Sequence, residues 1–282
     1  MTWRDALRTN RSLRYGVSLS LIIVAIALFG PILLPGDPND IDVRNRFAGP
    51  SLEYPLGTDD LGRSTWLRLV YGARMSLAIA FFSMAIGTTF AVTIGLVTGY
   101  LAGIVDVVGM RIVDLFFAIP TLLIAVGVVA LFGASATTTI IALGIAYIPF
   151  YTRLIRGAVV GVRSRAYVDA SRVLGSSGAR LVRTDILPAI MPIALVHSTA
   201  VLGWALVDEA SLGFLGLGVQ PPDASWGAMI NSGRQFIFQA PWLTIIPGLA
   251  VIISVFAINL IGDGLRDQLD PRSSTRVSRG GS

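Results

Sequence analysis

The sequence predicts an all-α integral membrane protein with about six transmembrane helices, and three observations predict it. Of 282 residues, 54% are hydrophobic and 14% charged, with a mean hydropathy of +0.72. Soluble domains carry far more charge. The charges also cluster, leaving uncharged runs at 15–36, 75–105, 115–152, 186–207 and 235–262. Each is long enough for a spanning helix of roughly 20 residues, and 115–152 is long enough for two. Finally, arginine alternates between the intervening segments as the positive-inside rule requires.

Residues 1–14 read as a cytoplasmic basic tail with Arg4, Arg8, Arg11 and Arg14. The first span covers 15–34. It ends in Pro35-Gly36-Asp37 without a small-residue cleavage site, so it reads as a helix that stays rather than a signal peptide. Residues 35–74 then form an extracytoplasmic segment. Pro55 and Gly57 break regular structure there, and Asp59 and Asp60 are placed to cap the helix that follows.

A core domain over 75–265 holds five more spans, near 76–98, 109–132, 138–156, 189–208 and 242–262, with a turn at Gly133-Ala134-Ser135. Gly95, Gly99 and Gly103 are spaced four apart, which predicts a close helix contact. Arg111 and Asp114 are three apart on one helix and can pair. Pro120 and Pro149 should each kink or end their helices. His197 falls about 13 Å into the fifth span at 1.5 Å per residue. An ionisable group at that depth is a candidate for function, though a neutral ring bonded to a neighbouring helix fills the same position. Asp208 and Glu209 lie at the outer end of that span, where carboxylates stay wet, facing a substrate vestibule or plain water. Gly213, Gly216, Gly218 and Pro221-Pro222 predict irregular backbone, tolerated at membrane depth when buried in protein or lining a wet cavity. Residues 266–282 form a cytoplasmic tail.

The loop at 163–188 is the one long polar interruption that also patterns as helix. Tyr167, Ala170, Val173 and Leu174 share an apolar face. Gly175 sits where a helix end wants a left-handed residue. Ser176 and Ser177 can cap a second short helix with Leu181, Val182 and Ile186 on its apolar side, and Pro188 opens the next span. The residues alone leave two uses for the exposed face: docking a protein, or lying on lipid headgroups.

Orientation follows from counting. With both termini inside, sixteen of the 22 basic residues are cytoplasmic, while Asp37, Asp40, Asp42, Glu53, Asp59, Asp60 and Asp223 fall outside. The pI near 10.1 then reflects topology and contact with anionic membrane lipids, not nucleic-acid binding. Every basic side chain other than His197 is arginine. Without lysine there is no P-loop, so this chain does not hydrolyse ATP in that manner. The absence of Cys removes thiol chemistry and Cys-ligated zinc, and a single His excludes a multi-histidine metal site. No catalytic residue, metal site or cofactor is expected.

Four stretches carry a resemblance. Asp169-Ala170-Ser171, Gly175 and Leu187-Pro188 fall in the register of the cytoplasmic loop of ABC-importer permeases, E-A-A, three residues, G, nine residues, I-x-L-P. Asp169 stands for Glu, Ser171 for the second Ala, and Asp185 for Ile. Residues 54–77, from Tyr54-Pro-Leu-Gly-Thr-Asp-Asp-Leu-Gly-Arg63 to Leu77, resemble a segment of the dipeptide/oligopeptide branch (DppC/OppC-type). So do 208–229 and Asp263-Gly-Leu-Arg-Asp-Gln-Leu-Asp-Pro-Arg272. The resemblance implies a type I ABC importer permease fold with a cytoplasmic coupling helix, in the bacterial plasma (inner) membrane. Tyr167, Asp169, Ala170, Ser171, Val173, Leu174, Gly175, Leu187 and Pro188 would couple to the ATPase. His197, Asp208 and Glu209 would be candidates for the substrate pathway. It implies as partners a second permease (DppB/OppB-type), two ATPase subunits that bind ATP and Mg, and an extracytoplasmic substrate-binding protein. The substrate would be a dipeptide or oligopeptide, with nickel, glutathione or another small solute as alternatives in the same branch.

Two other classes are weighed. An intramembrane serine protease would use Ser135, in Gly133-Ala134-Ser135-Ala136, with His197 as base. A proton-coupled transporter would need a carboxylate relay within the membrane, and the spans as drawn keep every Asp and Glu at or beyond their ends.

Overall fold

A computed structural model describes residues 10–269; Arg4, Arg8, Arg272, Arg276 and Arg279 of the two tails lie outside them. The described residues contain no β-strand, only an isolated bridge between Thr58 and Ser64. Five helices are long and apolar enough to cross a membrane: α1 (Arg11–Leu33), α2 (Thr65–Leu101), α5 (Ala136–Arg163), α8 (Leu187–Phe214) and α10 (Trp242–Leu269). The sixth expected span is broken. Instead of one helix over 109–132, α3 (Gly103–Phe117) and α4 (Thr121–Phe132) meet at 83°. Pro120 is the reason: it restricts Ile119 before it, and α4 restarts with Leu123 N and Ile124 N donating to Pro120 O. Pro149 does not end its helix, and α5 continues through its position.

The glycine spacing in α2 does what it predicts at two of three positions. A Cβ on Gly95 would lie 2.8 Å from Ile155 Cγ2, and one on Gly99 2.8 Å from Val159 Cγ1. Only glycine lets α2 approach α5 this closely. Gly103 is not part of that face; it opens α3 at a positive φ with open space around it. A second departure lies nearby. Asp114 does not pair with Arg111 in its own helix but with Arg153 of α5 at 2.5 Å, and Arg153 also lies over the Phe117 ring at 3.9 Å. One helical turn on, Arg156 grips Asp106, donating from Nε to Oδ1 and from Nη2 to Oδ2, each at 2.5 Å. Two bidentate-capable arginines thus tie α3 to α5.

Outside the long helices, the segment before α2 is organised by a buried Asp59. Its carboxylate accepts from Leu61 N and Arg63 N at 2.9 Å and pairs with Arg63 Nε at 2.7 Å. It therefore builds a turn and does not cap α2; Ser64 holds that position, accepting from Leu67 N. The irregular stretch after α8 is also shorter than expected. Gly213 lies within α8, and regular structure stops only between Leu215 and Ser225. A short α9 (Trp226–Gly233) follows, pinned to α2 by Trp226 N donating to Ser76 Oγ and Trp226 Nε1 to Leu69 O, both at 3.0 Å.

The core divides into two clusters. The larger one fills the space between α2, α4, α5, α8, α9 and α10, around Ile79, Leu143, Leu206 and Leu212. The smaller runs from Ala91, Tyr151 and Ile155 down α5 to Val162, and then out of the span into Val168, Leu181 and Ile186. The loop after α5 is therefore packed onto the bundle.

Candidate functional site

That loop is built from α6 (Ala166–Val173), α7 (Gly178–Leu181) and a π-helical turn (Val182–Ile186) leading into α8. Its inner side is closed: Val168, Leu181 and Ile186 are fully buried. Its outer side is open. Tyr167 and Ala170 are exposed, and Val173 and Leu174 are 87% and 86% exposed. An eight-residue helix does not persist alone in water, so the buried Val168 face holds it and the opposite apolar face is left free. Gly175 adopts φ +85° as expected, with Gly175 N donating to Arg172 O and Ser176 N to Ser171 O to close the helix end. Ser177 precedes α7 but makes no side-chain cap bond. Asp169 pairs with Arg172 at 2.8 Å on the solvent side. Leu187 and Pro188 form the first turn of α8, partly buried and exposed respectively. The π turn explains how the chain accommodates Asp185 where the loop pattern has an apolar residue: Asp185 is partly exposed and Ile186 takes the buried place.

The three polar residues of α8 separate. His197 is partly buried, with its ring 6.5 Å from that of Tyr151. Asp208 meets α5: Tyr147 Oη donates to Asp208 Oδ2 at 2.6 Å. These two line a cleft of about 420 Å³ with Thr121, Phe150, Trp204 and Val207. Glu209 faces the other way and is not wet. It is completely buried, and neither carboxylate oxygen has a hydrogen-bond partner. The Ser76 and Ser225 hydroxyls are neighbours, but neither meets bonding geometry with it, and they accept from Trp226 N and Ala228 N respectively. The expectation that all carboxylates sit at span ends thus fails for Glu209, because α8 continues to Phe214 and α9 folds over it.

Ser135 is occupied as the cap of α5, accepting from Thr138 N at 3.0 Å and sharing a bond with Thr138 Oγ1 at 2.9 Å. Nothing in this arrangement resembles an activated nucleophile.

Residues 91–275 match the family model for the binding-protein-dependent transport system inner membrane component. The chain belongs to this family. It is 38% identical to the dipeptide transport system permease protein DppC of Alkalihalophilus pseudofirmus, over 96% of this chain and 90% of that one. It is 39% identical to the nickel transport system permease protein NikC of Escherichia coli, over 94% and 97%. Among solved structures, an inward-facing MetNI methionine ABC transporter chain aligns with TM-score 0.60 and 21% identity, covering 73% of this chain and 98% of that chain. The fold is that of an ABC importer permease.

In this permease, the residues expected to couple do lie together on one small module, most of them on its outer side. The residues expected along a pathway do not: Asp208 lines a cleft, Glu209 is sealed in the core, and His197 sits elsewhere on α8. Sequence reasoning missed Val168, whose burial makes the module rigid, and Tyr147, Phe150 and Trp204, which surround Asp208. Trp204 was within reach, since it lies four residues before Asp208 on the same helical face. The partnership across helices with Tyr147 has no signal in a single sequence.

Proposed function

We propose that this chain is the permease subunit of an ATP-driven importer for dipeptides or oligopeptides. It forms half of a heterodimeric pore with a second permease of the DppB/OppB type. Two ATPase subunits carry ATP and Mg, and an extracytoplasmic protein delivers substrate. The observation that carries the reading is the α6 module: an apolar face of Tyr167, Ala170, Val173 and Leu174, open on one side and braced by Val168, Leu181 and Ile186 on the other. A braced apolar helix of this kind suits a groove on a protein better than a headgroup layer, which needs no rigid support. Asp169, Ser171, Gly175, Leu187 and Pro188 shape the same module. The chain has no lysine and so no P-loop, which makes it a transport subunit that depends on partner ATPases.

Both termini and the α6 module face the cytoplasm, on the arginine asymmetry, in the bacterial inner membrane. The peptide substrate is supported by the DppC relative together with the match of 54–77 and 208–229 to that branch; the NikC relative keeps nickel as the second reading. Reconstitution in vesicles with cognate partners tests both. Binding-protein-dependent, vanadate-sensitive uptake of a labelled dipeptide is expected. Uptake of nickel and not of any peptide would replace the substrate, and ATP hydrolysis by this polypeptide alone would overturn the assignment of roles.

A further inference from the structure

The carboxylates on and beside the helical bundle are treated very differently. Asp106 and Asp114 are each clamped by an arginine, Arg156 and Arg153. Asp208 has no cationic partner among the described residues, and its one hydrogen bond comes from neutral Tyr147. Around it stand aromatic rings. Phe150 and Trp204 meet edge to face at 5.3 Å, and Tyr147 is buried beneath the carboxylate it serves. Trp204 is about half exposed, so the cleft is open. A carboxylate within a membrane span is costly, and an aromatic lining adds attraction for a cation over a free ring face. A single carboxylate among rings is a poor ligand set for a transition metal, which needs several nitrogen, oxygen or sulfur donors. It suits an organic ammonium.

We propose that the cleft between α4, α5 and α8 is a transient binding site for a primary ammonium group, the free amino terminus of a peptide in transit, held by Asp208 among Tyr147, Phe150 and Trp204. This rests on the peptide reading above and deepens it. Asp208 supplies the charge, and Tyr147 fixes one carboxylate oxygen and leaves the other toward the cleft. The rings line the cleft with apolar surface and bring no second charge to compete for the carboxylate. Such a site makes weak, reversible contact in a pathway whose first selection is made by another protein.

The test uses the complete importer in vesicles with its binding protein, and labelled dialanine as the probe. Asp208→Asn removes the charge and keeps the shape; Trp204→Ala removes a half-exposed ring that little else depends on. Each is expected to slow uptake about tenfold, the size of one desolvated cation–π or charged contact. Binding-protein-stimulated ATP hydrolysis should stay within about twofold of the unmodified complex, and Asp208→Glu should restore part of the uptake. In the solubilised complex without binding protein, dialanine should change Trp204 fluorescence saturably and N-acetyl-dialanine should not. The Trp204→Phe variant identifies that signal. If the unmodified importer moves no peptide, the functional reading fails. If it does, and Asp208→Asn and Trp204→Ala both match it, the cleft is not an ammonium site. Dissociation of the two permeases in Asp208→Asn, with uptake unchanged in Trp204→Ala, assigns the carboxylate to a subunit contact and likewise overturns the proposal.

Discussion

Truncating Leu174 on the outer face of α6 should weaken attachment of the ATPase subunit without weakening the permease itself. Leu174 is 86% exposed and Val173 87%, so nearly all of their apolar surface is available to be covered by a partner. Leu174→Ala removes three carbons. At roughly 0.8 kcal/mol per buried methylene, full coverage is worth about 2 kcal/mol, or about 30-fold in affinity. Val173→Ala removes two carbons and should cost about tenfold. Val168→Ala provides the contrast: that side chain is fully buried, so its loss should lower the stability of the permease by roughly 1–2 kcal/mol. Titration of purified ATPase subunits onto the immobilised permease pair measures the first effect, and thermal unfolding of the permease alone measures the second. The reasoning is refuted if Leu174→Ala and Val173→Ala bind like the unmodified chain, or if they unfold at a clearly lower temperature. Either result means that this face is not what the ATPase covers.

Gly175→Ala should misplace α6 at a cost of about 1 kcal/mol, because the strain is at φ +85° with nothing within 4 Å of the new Cβ. Gly175→Asn should be milder and Gly175→Val worse, with hydrolysis uncoupled from uptake in vesicles. A double-mutant cycle on Asp106 and Arg156 should return a coupling of about 1 kcal/mol, since both side chains are partly screened by solvent; additivity would show that the pair does not tether α3. Glu209→Met should leave stability equal or higher, because it replaces an unpaired buried carboxyl with an apolar group of similar volume, whereas Glu209→Ala should destabilise by about 2–3 kcal/mol through the cavity it leaves. A drop in thermal stability for Glu209→Met equal to that of Glu209→Ala would count against this. Ala179→Cys, exposed and introduced into a chain without native cysteine, should react with an impermeant thiol reagent only from the cytoplasmic side. Position 178 serves less well, since a Cβ there meets the Tyr100 hydroxyl at 2.8 Å.

Much of the fold was legible because its causes are local. Hydrophobic length sets the spans, glycine spacing sets the contact of α2 with α5, and the left-handed Gly175 ends α6. What stayed hidden depends on partners distant in sequence. Arg153 and Arg156 pair with Asp114 and Asp106 across 39 and 50 residues, a choice that spacing within one helix cannot reveal. Asp59 is another instance: next to a helix start it resembles a cap, yet the turn it closes with Arg63 captures its oxygens first. Pro120 and Pro149 look equivalent in sequence, and only one ends its helix. The difference is tertiary: around Pro149, α5 is buried at Ala146, Tyr147 and Tyr151 and packing keeps it one continuous helix, while around Pro120 the residues of 114–120 are largely exposed. The candidate cleft was half legible, with Asp208 visible as a carboxylate in a span and its aromatic surroundings invisible.

The two proposed sites are joined by the same pair of helices. α5 carries Tyr147 and Phe150 in the cleft and ends at Arg163, directly before α6. α8 carries Trp204 and Asp208 and begins at the π turn that follows α7. From Tyr147 to Arg163 is about 24 Å along a helix, and from Leu187 to Asp208 about 32 Å, at 1.5 Å per residue. The smaller core cluster, with Val159 and Val162 of α5, Val168 of α6, Leu181 of α7 and Ile190 of α8, welds the loop to both helices at that end. A displacement of α6 by an ATPase is therefore carried into α5 and α8 and not absorbed in a flexible linker. The two helices leave the loop at different points, are joined where Tyr151 Oη meets Ala194 O and Ser198 Oγ, and meet again farther along at the Tyr147–Asp208 hydrogen bond, so a change in their relative tilt about Tyr151 acts on that bond and on the gap between Phe150 and Trp204. The position of the ammonium site at the far end of both levers is what would let ATP-driven movement change its affinity, tightening it for capture and loosening it for release.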